Sequence, residues 1–108
     1  MAKYKNTLQK GSIRYVVFKD GADWYAVGLE FNIVESGSTP QEAMLLLFEA
    51  LRGYVESARK IKARPAILNQ ISDPEYEALW QKSQGVRYYP SQVFSAGQVT
   101  IPQVLSAV

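Results

Sequence analysis

The stretch that most restricts how this chain can fold runs from Thr39 to Ala58. Thr39 offers a capping hydroxyl, Pro40 suits the first helical position, and Glu42 stands three residues on to complete a capping box. Met44, Leu47, Phe48, Leu51, Val55 and Ala58 follow at three- and four-residue spacing, one continuous apolar stripe. A helix with such a stripe needs a surface to bury it against, and the strands before it supply one. Leu45 and Leu46 fall off the stripe, so the helix calls for further cover from the C-terminal segment or from another subunit.

Upstream, Ile13 to Phe18 is β-branched and aromatic and predicts a strand. Asp20-Gly21-Ala22-Asp23 supplies turn chemistry, with Gly21 free to take positive φ. Trp24 to Leu29 predicts a second strand, with Tyr25, Val27 and Leu29 on one face and Trp24, Ala26 and Gly28 on the other. Ile33 to Ser36 predicts a short third, ended by Gly37. The fold class expected is therefore α+β: a three-stranded antiparallel β-meander followed by one long amphipathic helix. Beyond Arg64-Pro65 the pattern weakens. Ala66-Ile67-Leu68 reads as an edge strand, Asp73-Pro74-Glu75 opens a second helix reaching about Ser83, and Val86–Tyr89, Gln92–Phe94 and Gln98–Ile101 read as short extended pieces. The expected organisation is a core over 1–64 and an extension over 65–108 that packs on the core or on a partner subunit.

Composition narrows the chemistry. The chain of 108 residues is 47% apolar and 20% charged, as globular domains are, and suits one hydrophobic core. It contains no cysteine and no histidine, which removes thiol catalysis, Cys-based metal sites and the commonest general base together. A serine nucleophile has no base, and no glycine-rich phosphate loop occurs. The carboxylates Glu30, Glu35, Asp20 and Asp23 have no spacing that would force convergence on a metal. The expectation is a protein without catalytic residues, metal or cofactor. No apolar run reaches the roughly 20 residues of a membrane span, and the start lacks the apolar core of a secretory signal, so a cytoplasmic protein is expected.

Charge is uneven along the chain. Lys3, Lys5, Lys10, Arg14 and Lys19 make the opening basic, and Arg59, Lys60, Lys62 and Arg64 form a second cluster where the helix ends and its dipole favours cations. Between them Asp20, Asp23, Glu30, Glu35, Glu42, Glu49 and Glu56 face one cation, Arg52. Such a run is either a solvated face or a landing site for a basic partner. Lys3 and Lys5 beside Tyr4, and Arg87 beside Tyr88 and Tyr89, mix basic and aromatic residues as single-strand binders do.

The order Gly37-Ser38-Thr39, Glu42-Ala43, Glu49-Ala50-Leu51 and Tyr54-Val55-Glu56, preceded by a hairpin, resembles the HicB antitoxin family over about Ile13 to Glu56. Each of these residues also has a local job: Gly37 gives backbone freedom, Thr39 and Glu42 cap, Ala43 and Ala50 pack, and Tyr54 is a core or boundary aromatic. The resemblance implies a truncated RNase H-like fold without the nuclease carboxylates. It implies binding of a small basic RNA-cleaving toxin of the HicA type, and a homo-oligomer. The chain departs from the family at Leu29-Glu30-Phe31-Asn32, where a cysteine-containing segment is common, and its tail carries no recognisable DNA-binding module. Ser95 to Pro102 resembles the opening of AbrB-type DNA-binding hairpins, but Ala96 stands where a basic residue is needed, so an ordinary strand is expected.

Toxin contacts are expected from exposed carboxylates beside the sheet and the helix start: Asp23, Glu30, Glu35 and Glu42. Alternative expectations are an orphan adaptor of the same fold, or a regulator binding nucleic acid through Lys3, Lys5 and Arg87, with DNA as a further partner.

Overall fold

The computed structural model describes residues 5–106. Its order is β1 (Ser12–Asp20), β2 (Asp23–Gly28), a 3-10 turn (Leu29–Phe31), β3 (Ile33–Gly37), α1 (Pro40–Lys60), a second 3-10 turn (Pro65–Leu68), α2 (Pro74–Lys82), β4 (Val93–Thr100) and α3 (Ile101–Ser106). The protein is α+β, with one antiparallel sheet of four strands ordered β3-β2-β1-β4.

The sheet has a fourth strand where three were expected. The pieces at Gln92–Phe94 and Gln98–Ile101 are parts of one strand, β4, which pairs with β1 from Ser12–Thr100 to Phe18–Val93 with an irregularity at Val17/Phe18. Two other expectations fail. Ala66-Ile67-Leu68 forms the second 3-10 turn, because Pro65 starts it and Asn69 closes back on Ala66 C=O. Val86–Tyr89 is irregular loop.

Both faces of the sheet are covered, which explains the unbroken apolar run Val16-Val17-Phe18. Ile13, Val17 and Ala26 face α1 and α3, where they pack with Ala43, Leu47, Leu51, Val55, Ala58, Ile101 and Val104. Val16, Phe18, Val27 and Leu29 face α2 and pack with Leu79, Trp80 and Val93. Each fully buried aliphatic side chain of α1 contributes about 2 kcal/mol. Leu46 is half-buried, whereas Leu45 stays 60% exposed.

The start of α1 follows the capping logic. Thr39 is extended, and its hydroxyl accepts the Glu42 N–H at 3.1 Å. The Glu42 carboxylate reaches back one residue further than a capping box requires, accepting the Ser38 N–H at 3.2 Å. Gly37 does not serve backbone freedom, because its φ is not positive. It serves space: a Cβ there would stand 2.8 Å from the Ala43 nitrogen, so the strand could not turn so tightly into the helix.

The N-terminal segment is tied in by Asn6, which is fully buried. Its amide donates to Leu68 C=O and accepts from Ser12 N–H, at 2.9 and 2.8 Å, while its backbone exchanges bonds with the Asn69 side chain. No helix among the described residues is long and apolar enough to cross a membrane.

Candidate functional site

Two places concentrate charge. The first is internal and begins with Arg14. Alternation along β1 sends Arg14 to the α2 face with Val16 and Phe18, so a guanidinium enters an otherwise apolar layer and needs partners. Glu30, in the first 3-10 turn, accepts the Arg14 backbone N–H at 2.7 Å and its Nε–H at 2.6 Å. Glu77, on α2, receives both terminal nitrogens of Arg14 and also the Ser72 hydroxyl at 2.7 Å. The guanidinium lies 5.6 Å from the Trp80 ring centroid. Burial alone would lower the Arg14 pKa, but its bonds to Glu77 and Glu30 outweigh that and raise it. The bonds from Arg14 and then Ser72 hold the Glu77 carboxyl below the usual range. A cleft of about 660 Å³ opens beside this cluster, lined by Arg14, Gln70, Ser72, Glu77 and Gln81 among others. Chemically the cluster is a clamp. It binds β1, the turn after β2 and α2 to one another, and both carboxylates are engaged by the arginine.

Glu30 was expected as an exposed contact residue, and here the structure differs. It is only 8% exposed, because the 3-10 turn folds it under α2 and onto Arg14. Arg14 and Glu77 are the members of the cluster that sequence reasoning missed. The usable signal was a charge at an inward-facing register position of an apolar strand.

The second concentration lies on the surface. Asp23 begins β2 and is exposed, Glu35 is half-exposed in β3, and Glu42 is exposed in the first turn of α1. Register sets them around one end of the sheet but on two faces: Glu35, paired with Ala26, lies on the α1 face, and Asp23, one residue before Trp24, on the α2 face. Trp24 pairs with Gly37 and Ala26 with Glu35, so the beginning of β2 lies beside the end of β3, where α1 starts. Asp20 joins them through its pairing with Asp23. Among the described residues none of Asp23, Glu35 and Glu42 is in an ion pair. Lys19 is the cation nearest in register, and its ammonium sits 5.8 Å from the Trp24 ring centroid.

The basic residues are not drawn into a comparable group. Lys3 lies outside the described residues. Lys5 is exposed next to the buried Asn6, and Arg87 is exposed in the loop between α2 and β4 with its guanidinium 5.7 Å from the Tyr88 ring. No three carboxylates among the described residues stand close enough to hold a metal ion. No family model, no curated protein and no solved structure matches this chain.

Proposed function

We propose that this chain is a non-catalytic protein-binding domain of the HicB antitoxin kind, acting in the cytoplasm by binding and neutralising a small basic RNA-cleaving toxin. The observation that carries the reading is the acidic corner. Glu35 and Glu42 stand at the Gly37–Ala43 segment that turns a strand into α1, Asp23 lies beside it on the other face of the sheet, and among the described residues none of the three is in an ion pair. Carboxylates held on a strand edge and a capped helix start are presented on rigid elements, so the corner is preorganised for basic groups. On this reading β1, β2, β3 and α1 form the partial RNase H-like core, and Glu30, bound to Arg14 beyond the far end of β2, takes no part in the contact. The sequence resemblance over Ile13 to Glu56 supplies the toxin as the class of partner.

The experiment is co-expression with the product of the reading frame adjacent to this chain's own. Co-purification together with rescue of growth is the expected result. A toxic neighbour that neither co-purifies nor is silenced by this chain would overturn the reading.

A further inference from the structure

Antiparallel pairing turns alternate residues of a strand toward its neighbour. In β4 the residues that exchange hydrogen bonds with β1 are Ser95, Gly97 and Val99, in step with the bond from Ile101 N–H to Gly11 C=O at 2.9 Å. The N–H and C=O groups of Ala96, Gln98 and Thr100 therefore point outward from the sheet. Two of these groups are met by side chains at the rim. The Tyr89 hydroxyl donates to Ala96 C=O at 3.2 Å, and Gln103 Oε1 accepts the Thr100 N–H at 2.8 Å. Gln98, midway between them, has neither backbone group met among the described residues.

Free strand edges are usually blunted by charge, and β3 carries Glu35 at its centre. Strand β4, eight residues long, carries no charge at all. Beside its edge, on the α1 face, lies a groove of about 280 Å³ lined by Phe48, Gln98, Val99, Gln103 and Val104.

We propose that β4 is a dimer interface, to which a second copy of this chain adds its own β4 antiparallel about a two-fold axis at Gln98. In that register the Gln98 N–H of each copy donates to the Gln98 C=O of the other. Ala96 comes opposite Thr100, so the exposed Tyr89 and Gln103 side chains swing off the edge into solvent and the Thr100 N–H of each copy meets the Ala96 C=O of the other. Gly97 comes opposite Val99 on the α1 face, which brings Val99 of each copy to the other's groove beside Phe48. The occupant is a copy of this chain because a two-fold axis at Gln98 matches each outward group of the edge to a partner, Gln98 N–H to Gln98 C=O and Ala96 N–H to Thr100 C=O, and sets Val99 over both grooves at once. The uncharged strand also meets itself without repulsion, whereas pairing through the centre of β3 would set Glu35 against Glu35.

The test uses the absence of cysteine from the chain. Residues directly opposite in a hydrogen-bonded antiparallel pair have Cα atoms about 5.5 Å apart, within reach of a disulfide. Wild-type protein is expected to sediment as a dimer in the micromolar range. The Gln98→Cys variant is expected to become a disulfide-linked dimer under mild oxidation, and Glu35→Cys on the opposite edge to stay unlinked. Gln98→Pro is expected to sediment as a monomer with an unchanged circular dichroism spectrum, because the N–H it removes points away from β1. A wild-type monomer throughout that range would overturn the proposal. So would linking through Glu35→Cys in place of Gln98→Cys, which would put the contact on β3.

Discussion

At the residue scale, Arg14, Glu30 and Glu77 show how burial assigns different weights to similar groups. The Glu30 side chain is 11% exposed and also holds the Arg14 backbone N–H, whereas that of Glu77 is 37% exposed. Glu30→Ala should therefore cost about 2–4 kcal/mol in a urea titration, since it strands a partly buried cation and an N–H together. Glu77→Ala should cost less than about 1 kcal/mol, because solvent screens its pair. The Glu77 carboxyl lies below its unfolded value, so its contribution is present above about pH 4.3 and is lost as pH falls through the folded value. Stability of Glu77→Gln should accordingly fall less steeply than that of the wild type on acidification from pH 4.5. Sequence reasoning saw Glu30 as a surface charge because nothing local reveals a 3-10 turn. The other carboxylate on Arg14, Glu77, lies sixty-three residues on in α2 and is equally invisible without the fold.

At the element scale, α1 was legible because its signals are local: a cap, a proline at the first position and a stripe of fixed period. Its C-terminus was marked by the basic run from Arg59, but the residue that closes it was not. There Lys62 takes φ of 52°, with Ala63 N–H bonded to Ala58 C=O and Lys62 N–H to Arg59 C=O, an arrangement that normally calls for glycine. Lys62→Gly should raise stability by about 0.5–1 kcal/mol, the relief of a left-handed residue less the added freedom of the unfolded chain. An unchanged or lower urea midpoint would show that this turn is unstrained. Strand β4 was legible only in fragments because Ser95-Ala96-Gly97 lowers its local propensity. The reason lies in tertiary packing. A Cβ on Gly97 would stand 2.8 Å from the Tyr15 hydroxyl, so the ring of a neighbouring strand dictates a residue that weakens the strand signal.

At the scale of the whole molecule, the sheet divides two tasks. Its α2 face is closed by the arginine clamp and its α1 face by the long helix, which leaves the two edges and the corner between β2, β3 and α1 as surfaces for partners. Of the carboxylates expected at a binding surface, Asp23, Glu35 and Glu42 ring the end of the sheet where α1 starts, Asp23 on the face opposite Glu35, and Glu30 is withdrawn into the clamp. The chain order of acidic residues was readable directly. Which of them would be spent on internal pairing depended on α2 and its register against β1. Under the proposed function, the carboxylates around the start of α1 steer a basic protein partner. The most direct measurement is the association rate of the neighbouring basic protein with wild type and with the Asp23→Lys/Glu35→Lys double variant, across a series of salt concentrations. For the double variant the expected result is an association rate at least about tenfold slower at low salt, a flattened salt dependence and an unchanged unfolding midpoint. An association rate and salt dependence equal to those of the wild type would contradict it.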